Sequence, residues 1–214
     1  MQKNFKEKNF CSLIDNINVT YYRDFINSAD CKRYYYLFEK YLKYNNKEAS
    51  KIKLYGKEFY VPRKQVAFGD PGTYYNFSGI KVDAISWDND EIISKVLKKI
   101  KDKVELFTGK KFNFVLINRY ADGNDYIGFH KDDEKQLGDE PYIVGVSFGA
   151  ERDFIFKADN FIPKNMPEKI ELKLDDGSII MMDHPTNDYW KHSIPKRANV
   201  KKPRISLTFR YMHN

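Results

Sequence analysis

FNFVLINRY (residues 112–120) begins a run of short apolar segments that decides the fold and continues to residue 212. Further segments of this kind are YIVGVSFG (142–149), RDFIFK (152–157), IELKL (170–174), SIIMMD (178–183) and RISLTFRYM (204–212). Turn-forming residues separate them, at Asp122-Gly123, Gly149-Ala150, Asp175-Asp176-Gly177 and Pro185. Many short, evenly spaced strands predict an antiparallel sandwich or a barrel-like roll for this part of the chain.

The N-terminal half shows helical periodicity instead. Residues 28–44 predict a helix capped by Ser28, and residues 90–107 predict a more strongly amphipathic helix that ends before Gly109. Their apolar positions are Cys31, Tyr35, Phe38 and Leu42 in the first, and Ile92, Ile93, Val96, Leu97, Ile100 and Val104 in the second. Residues 51–61 predict a β-hairpin with a tight turn at Gly56. The expected fold class is therefore α+β, with helices that cover one face of a C-terminal β-roll.

Charge and composition narrow the function classes only in part. The 214 residues carry a formal net charge of +7 and a pI of about 9.1, which favours polyanionic partners but equally fits lysines that only keep the surface soluble. Cys11 and Cys31 have neither zinc nor redox spacing and fit a reducing compartment. The charged N-terminus does not look like a secretory signal, and no segment is apolar enough to span a membrane, so a soluble intracellular protein is expected.

A His-x-Asp motif is the first candidate for chemistry. His130 and Asp132 are two residues apart, and in an extended segment they point to the same side and can reach one metal ion. A second histidine from a distant strand would complete a set of two imidazoles and one carboxylate, which suits non-haem Fe(II) with open coordination positions. The motif alone is weak, because short matches of this kind are common on protein surfaces.

The last apolar segment carries a second candidate site. Arg204, Ser206, Thr208 and Arg210 share one face of this strand, and a dicarboxylate such as 2-oxoglutarate would give both arginines a charged partner. The competing interpretation is the solvent face of an ordinary amphipathic strand. Asn118 and Tyr120 share a face ten residues before His130 and could hydrogen-bond the same co-substrate, or the tyrosine could simply pack in the core.

Together these pieces resemble the AlkB family of Fe(II)- and 2-oxoglutarate-dependent dioxygenases, in particular the animal homologues that repair duplex DNA. The blocks that carry the resemblance are PRKQVAFGD (62–70), YNFSGI (75–80), FNFVLINRYADGNDYIGFHKDDE (112–134), VSFGAERDFIF (146–156), MMDHPTNDYWKHSIP (181–195) and PRISLTFR (203–210). The first 45 residues match poorly. The resemblance implies a double-stranded β-helix (jelly-roll) core over 111–214, a nucleotide-recognition hairpin lid with a supporting helix over 51–110, and an N-terminal helical extension over 1–50.

The resemblance also implies roles for individual residues. Fe(II) would be held by His130, Asp132 and His192, with His184 as the rival third ligand at a position that the family does not use. The residues implied for 2-oxoglutarate are Asn118, Tyr120, Arg204, Thr208 and Arg210. Those implied for the substrate are Tyr55, Gly56, Lys57, Tyr75, Asn76, Phe77, Asp133 and Glu134. Among them Tyr55 would be the finger that intercalates into the duplex, where the family usually has Phe.

The activity implied is oxidative demethylation of N-alkylated bases, such as 1-methyladenine and 3-methylcytosine, in duplex DNA, with Fe(II), 2-oxoglutarate and O2. The base would be flipped out of the duplex, and formaldehyde would be released. The alternatives are RNA or single-stranded DNA as substrate, a silent β-roll that only binds nucleic acid, and a protein hydroxylase. A monomer without membrane contact is expected, in the nucleus if the source is eukaryotic.

Overall fold

The computed structural model describes residues 9–54, 57–77, 80–89 and 91–213. The strands of its first half are β1 (Asn9–Ile14), β2 (Ile17–Tyr22), β3 (Lys51–Leu54), β4 (Lys57–Tyr60), β5 (Lys64–Gly69), β6 (Tyr74–Phe77), β7 (Ile80–Asp83) and β8 (Ile85–Ser86). The strands of its second half are β9 (Phe114–Tyr120), β10 (Ile127–His130), β11 (Ile143–Gly149), β12 (Arg152–Ala158), β13 (Lys169–Leu174), β14 (Ile179–Asp183), β15 (Trp190–Ile194) and β16 (Arg204–Arg210). The helices are α1 (Ser28–Tyr41), α2 (Glu91–Thr108) and α3 (Thr186–Tyr189).

The strands of the second half form a jelly roll. Strands β14, β11, β16 and β9 lie side by side in a large sheet, and β10, β15, β12 and β13 form a small sheet. All neighbouring pairs within these two sets are antiparallel, and the chain crosses repeatedly between the two sheets. This arrangement confirms the predicted α+β fold with a double-stranded β-helix core.

The large sheet continues beyond the roll at both edges. On one side β14 pairs with β2 and β2 with β1, and on the other β9 pairs with β5. The prediction of a helical extension over residues 1–50 is therefore wrong for residues 9–22, which form a strand pair. The alternation in β2, where Ile17, Val19 and Tyr21 are buried, is the period of two that a half-buried strand requires.

The two long helices cover the outer face of the large sheet. Apolar residues of α1 and α2 pack there against the outward-facing positions of β9, β11 and β16, such as Ile117, Val146 and Leu207. Both helix predictions are confirmed in position, with three corrections. Helix α1 ends at Tyr41 and not at residue 44. Asn27 caps α1 in place of Ser28, because its side chain accepts a hydrogen bond from the backbone N–H of Asp30. Ile92 lies outside the buried stripe of α2 and is exposed.

Two hairpins lie outside the sheets of the roll. β3 pairs with β4, which confirms the strands of the predicted hairpin over 51–61, and β6 pairs with β7. The predicted hairpin tip, Tyr55 and Gly56, lies outside the described residues, as do the side chains of Lys57 and Phe77. Within the described ranges, no helix combines the length and the apolar composition that crossing a membrane requires.

Candidate active site

Three side chains that could bind a metal converge beside strands β10 and β15 of the roll. His130 ends β10 and stands opposite His192 on the paired strand β15, and Asp132 follows two residues after His130. One potential ligand atom from each lies within 4.8 Å of the others. Asp132 and His192 are buried, and His130 is half-buried. His184, the rival third ligand, is not part of this group: it is exposed, and its Nδ1 lies 3.3 Å from Asp188 Oδ2.

The charge states of this trio fit a divalent cation. Burial lowers the pKa of His130, and burial followed by the neighbouring His130 lowers that of His192 to about 3, so both imidazoles are neutral at pH 7. His130 Nδ1 lies 2.9 Å from the carbonyl oxygen of Gly128 and donates to it, which leaves Nε2 free as a ligand.

Asp132 supplies the negative charge of the trio. Burial alone would raise the pKa of its carboxyl group, but Arg210 and the two histidines outweigh burial and lower it. The Nη2 of Arg210 donates to Asp132 Oδ1 at 3.0 Å. Two neutral imidazoles and one carboxylate form the donor set that Fe(II) takes in non-haem oxygenases.

The face of β16 that carries the arginines points into the roll. Arg204, Ser206, Thr208 and Arg210 line a cleft that also contains the three metal-binding candidates. Arg204 and Arg210 are buried, so the interpretation of this face as a solvent face is excluded. The outward residues of the same strand, Ile205, Leu207 and Phe209, pack beneath the helices.

Both arginines have unused hydrogen-bond donors. Arg204 donates through Nη2 to Ser147 Oγ at 3.0 Å and to Ser206 Oγ at 3.2 Å. Its Nε and Nη1, and those of Arg210, have no hydrogen-bond partner within the described part of the chain. Buried charged donors without partners are costly, and a bound dicarboxylate would satisfy them. The cleft therefore fits 2-oxoglutarate, with Arg210 at the metal end and Arg204 farther along β16.

Asn118 and Tyr120 line the same cleft from β9. Tyr120 is buried within it, and the guanidinium carbon of Arg204 lies 5.4 Å from the centroid of its ring. Asn118 Oδ1 accepts hydrogen bonds at 2.9 Å from Arg63 Nε and from Gln65 Nε2, which turns the amide NH2 of Asn118 toward other partners. Arg63 also lines the cleft. Neither Arg63 nor Gln65 was predicted from the sequence to have a role, although both lie in the block 62–70.

The residues predicted to meet the substrate are only partly brought together. Tyr75 is buried in the cleft, its hydroxyl donates to Glu134 Oε1 at 2.5 Å, and Arg210 lies 4.7 Å from the centroid of its ring. Burial, followed by the charge of Asp132, raises the pKa of Glu134 to about 7. Asn76 and Asp133 are exposed.

Comparison with known proteins agrees with this geometry. Residues 19–210 match the 2OG-Fe(II) oxygenase superfamily. The chain belongs to this superfamily. It is 42% identical over 192 residues to the DNA oxidative demethylase ALKBH2 of Bos taurus, which covers 88% of this chain and 67% of the relative, and this match places it in the AlkB family. As a member of the superfamily, the enzyme is a dioxygenase that uses Fe(II), 2-oxoglutarate and O2.

Solved structures of the superfamily share the fold. The structure of OsALKBH1 superposes with a TM-score of 0.56 at 14% identity, over 95% of this chain and 99% of that one. A prolyl hydroxylase from Trichoplax adhaerens superposes with a TM-score of 0.58 at 8% identity, over 91% of this chain and 83% of that one. The chain therefore shares the fold of these two proteins.

Proposed function

We propose that this dioxygenase repairs duplex DNA by removing alkyl groups from N-alkylated bases such as 1-methyladenine and 3-methylcytosine. The observation that carries the proposal is the 42% identity, over 88% of the chain, to a protein named as a DNA oxidative demethylase. The histidines and buried arginines of the cleft are the residues that such an enzyme needs. The net charge of +7 suits a polyanionic substrate.

His130, Asp132 and His192 would hold Fe(II) at the mouth of the roll. When bound there, Fe(II) with 2-oxoglutarate and O2 supplies an oxidation that converts the co-substrate to succinate and CO2 and hydroxylates the N-alkyl carbon, which then leaves as formaldehyde. The Arg210–Asp132 pair fixes the carboxylate of the trio and keeps it ionised. The hydrogen bond from His130 to Gly128 fixes the orientation of that ring.

Arg204, Arg210, Thr208, Asn118 and Tyr120 would bind 2-oxoglutarate. The unpartnered donors of Arg204 would meet the distal carboxylate, because this arginine is removed from the metal ligands along β16. Those of Arg210 would meet the metal-proximal end, because this residue already contacts Asp132. Asn118 is directed by Arg63 and Gln65 to present its NH2 as a donor to the co-substrate.

The alkylated base would enter beside Tyr75 and Glu134. Tyr75 and Phe77 would form the wall of the base pocket, and His130 would stack on the base from the other side. Glu134 Oε1 is engaged by Tyr75, and its Oε2 has no hydrogen-bond partner among the described residues. Because the pKa of Glu134 is raised to about 7, a base whose ring is made cationic by methylation would favour the ionised form of this group, and the resulting carboxylate would attract the base. Asp133 and Asn76, both exposed, would contact the substrate at the rim.

Selectivity for cationic lesions tests the role of Glu134. Glu134→Gln removes the negative charge and keeps the shape, so we expect the preference for 1-methyladenine over a neutral etheno adduct to fall. Competition between the two lesions in equimolar duplexes, read by mass spectrometry, gives this preference. An unchanged preference would contradict the role.

A base in a duplex reaches the buried cleft only after it leaves the stack, which costs a few kcal/mol. Tyr55 lies between β3 and β4, where a hairpin tip could insert in place of the flipped base. The adjacent Gly56 and Lys57 would shape the tip and bind a phosphate. The basic segment 196–202 lies between β15 and β16 and would bind the DNA backbone near the cleft.

The deciding experiment is repair of a duplex oligonucleotide that carries one 1-methyladenine, with Fe(II), ascorbate and 2-oxoglutarate, read by mass spectrometry. We expect loss of one methyl group that requires 2-oxoglutarate and disappears in Asp132→Ala. Tyr55→Ala should lower repair of the duplex far more than repair of the matching single strand. Repair of the single strand or of RNA alone would overturn the duplex assignment, and no repair of any of them by an iron-loaded protein would overturn the proposed function.

A further inference from the structure

Arg152, at the start of β12, is a buried cation that the function described so far does not use. Only 1% of the surface of Arg152 is exposed. Nη1 donates to the carbonyl oxygen of Asp122 at 3.0 Å, and Nη2 donates to those of Asp125 at 2.8 Å and Pro195 at 2.7 Å. No carboxylate within the described residues forms an ion pair with it, and its Nε has no hydrogen-bond partner there.

The guanidinium group of Arg152 joins two loops that leave the cleft. The loop after β9 contains Asp122 and Asp125, and the loop after β15 begins at Pro195. These loops pack closely: the backbone N–H of Gly123 donates to Val200, and a Cβ added at Gly123 would lie only 1.6 Å from the carbonyl oxygen of Arg197. Because both loops start at strands that line the cleft, Arg152 holds them in a fixed relation.

Arg152 also belongs to the electrostatics of the co-substrate pocket. Its guanidinium carbon lies 5.5 Å from the centroid of the Tyr120 ring, and that of Arg204 lies 5.4 Å from the same ring. Two buried cations thus flank one tyrosine, and neither forms an ion pair in the described ranges. Burial lowers the pKa of Arg204 to about 10, with a smaller contribution from the charge of Arg152. Burial lowers the pKa of Arg152, and the charges of Tyr120, Asp125 and Asp153 offset this only in part. The positive charge that remains buried is unfavourable unless an anion binds nearby.

Fastening loops does not by itself account for a cation at this position. Three carbonyl acceptors can be satisfied by neutral donors, whereas a buried charge adds a large desolvation cost. Arg152 does not line the cleft, so direct contact with a ligand is not its role. Its charge reaches the cleft only through Tyr120 and beside Arg204, at the end that lies away from the metal ligands.

We propose that Arg152 is a positioning residue for 2-oxoglutarate, which fixes Tyr120 against Arg204 and adds its positive charge to the end of the cleft that takes the distal carboxylate. The proposal rests on the roles in 2-oxoglutarate binding given above to Tyr120 and Arg204. It extends the recognition of the distal carboxylate from one arginine to a pair. It also links this recognition to the loop that begins at Pro195 and carries the basic segment 196–202.

The test compares two ligands that differ only at the distal end. Binding of 2-oxoglutarate and of 2-oxopentanoate, which has a methyl group in place of the distal carboxylate, is measured by calorimetry on the Mn(II)-loaded protein without DNA or O2. For Arg152→Met we expect the dissociation constant for 2-oxoglutarate to rise about tenfold, equivalent to about 1.4 kcal/mol, and that for 2-oxopentanoate to stay unchanged. Arg119→Met, which removes an arginine paired with Glu39 on the other face of β9, should leave both unchanged.

If Arg152→Met does not fold, Arg152→Lys is used in its place, because lysine keeps the positive charge but lacks the planar, multidentate donor geometry of the guanidinium group. We expect about a threefold loss of 2-oxoglutarate affinity, again without effect on 2-oxopentanoate. Equal losses for both ligands would show that Arg152 only supports the fold, and no loss for either would show that it does not act on the cleft. Either result overturns the proposal. The binding measurement contains no DNA, so it can still be interpreted if the repair experiment above fails.

Discussion

His130 and His192 stand directly opposite each other on β10 and β15, with the centroids of their rings 4.2 Å apart. The two residues are far apart in sequence, and only the pairing of these strands brings their rings together. Asp132 completes the trio from the segment that follows β10, with Oδ2 3.7 Å from His192 Nε2. The metal site therefore depends on the register between two short strands of the small sheet.

Loss of Asp132 should harm the metal-free protein more than loss of His192. Asp132→Asn leaves Arg210 buried without its carboxylate, and we expect the free energy of unfolding to fall by about 3 kcal/mol. His192→Gln leaves no buried charge without a partner, and it should lower the free energy of unfolding by no more than about 1 kcal/mol. Urea unfolding of the metal-free variants measures both, and equal losses would contradict the prediction. Both variants should lose tight binding of Fe(II).

Asp159 should support the metal site from outside the cleft. Its carboxylate contacts Lys131 Nζ at 2.8 Å and Lys191 Nζ at 2.7 Å, and each lysine is adjacent to a metal-binding candidate. Because this bridge ties the strands that carry the ligands, we expect Asp159→Ala to weaken Mn(II) binding about threefold, less than loss of a residue that bonds a ligand directly. Metal titration of the purified protein gives the constant.

Glu151→Ala is the matched control for Asp159→Ala. Its carboxylate pairs with Lys173 on the same small sheet, but neither residue is next to a metal-binding candidate. Mn(II) affinity should not change in this variant. An equal loss in both variants would mean that the Asp159 bridge has no specific effect on the site.

Glu105 should make stability depend on pH in the acid range. Burial would raise the pKa of its carboxyl group, but hydrogen bonds from Lys101, Lys111 and the backbone of Phe112 outweigh burial and lower it to about 2, from an ordinary value of 4.5. A lowered pKa gives stability that is present above pH 4.5 and is lost as the pH falls toward 2. After allowance for solvent screening, we expect this contribution to be about 1 kcal/mol at neutral pH.

Glu105→Gln removes this pH-dependent contribution. Urea unfolding from pH 7 to pH 3 should show the difference between wild type and variant shrinking as the pH falls. Glu58→Gln, whose exposed carboxylate pairs with Lys51, should show no such trend. A constant difference across the range would mean that the ion pairs of Glu105 do not stabilise the folded protein.

Truncation of Leu97 should destabilise the protein far more than truncation of Leu106, although both residues lie on α2. Leu97 is 0% exposed and packs on the large sheet, whereas Leu106 is 88% exposed. Leu97→Ala should therefore lower the free energy of unfolding by about 3 kcal/mol, through lost burial and a cavity. Leu106→Ala should change it by less than about 0.5 kcal/mol. A large loss at Leu106 would indicate that α2 is packed differently.

The local pattern of apolar residues was enough to predict the elements whose periodicity extends over many residues. The buried stripe of α2 and the strands from β11 to β14 follow from spacing alone, because one face of each must be apolar to pack. The pair β1 and β2 was missed, although Ile17, Val19 and Tyr21 alternate as in a strand. That segment is short, and its position beside β14 depends on contacts with residues far away in sequence.

Sequence by itself determined which chemical groups are available: a His-x-Asp pair, and a last strand with two arginines on one face. The resemblance already favoured His192 over His184 as the partner of His130 and Asp132. Only the tertiary structure decided that the arginine face is the interior of the roll and that Arg152 lies beside Tyr120. The physical reason is that strand periodicity separates two faces without saying which is buried. Pairing between distant strands chooses the buried face, and with it the side chains that meet in the cleft.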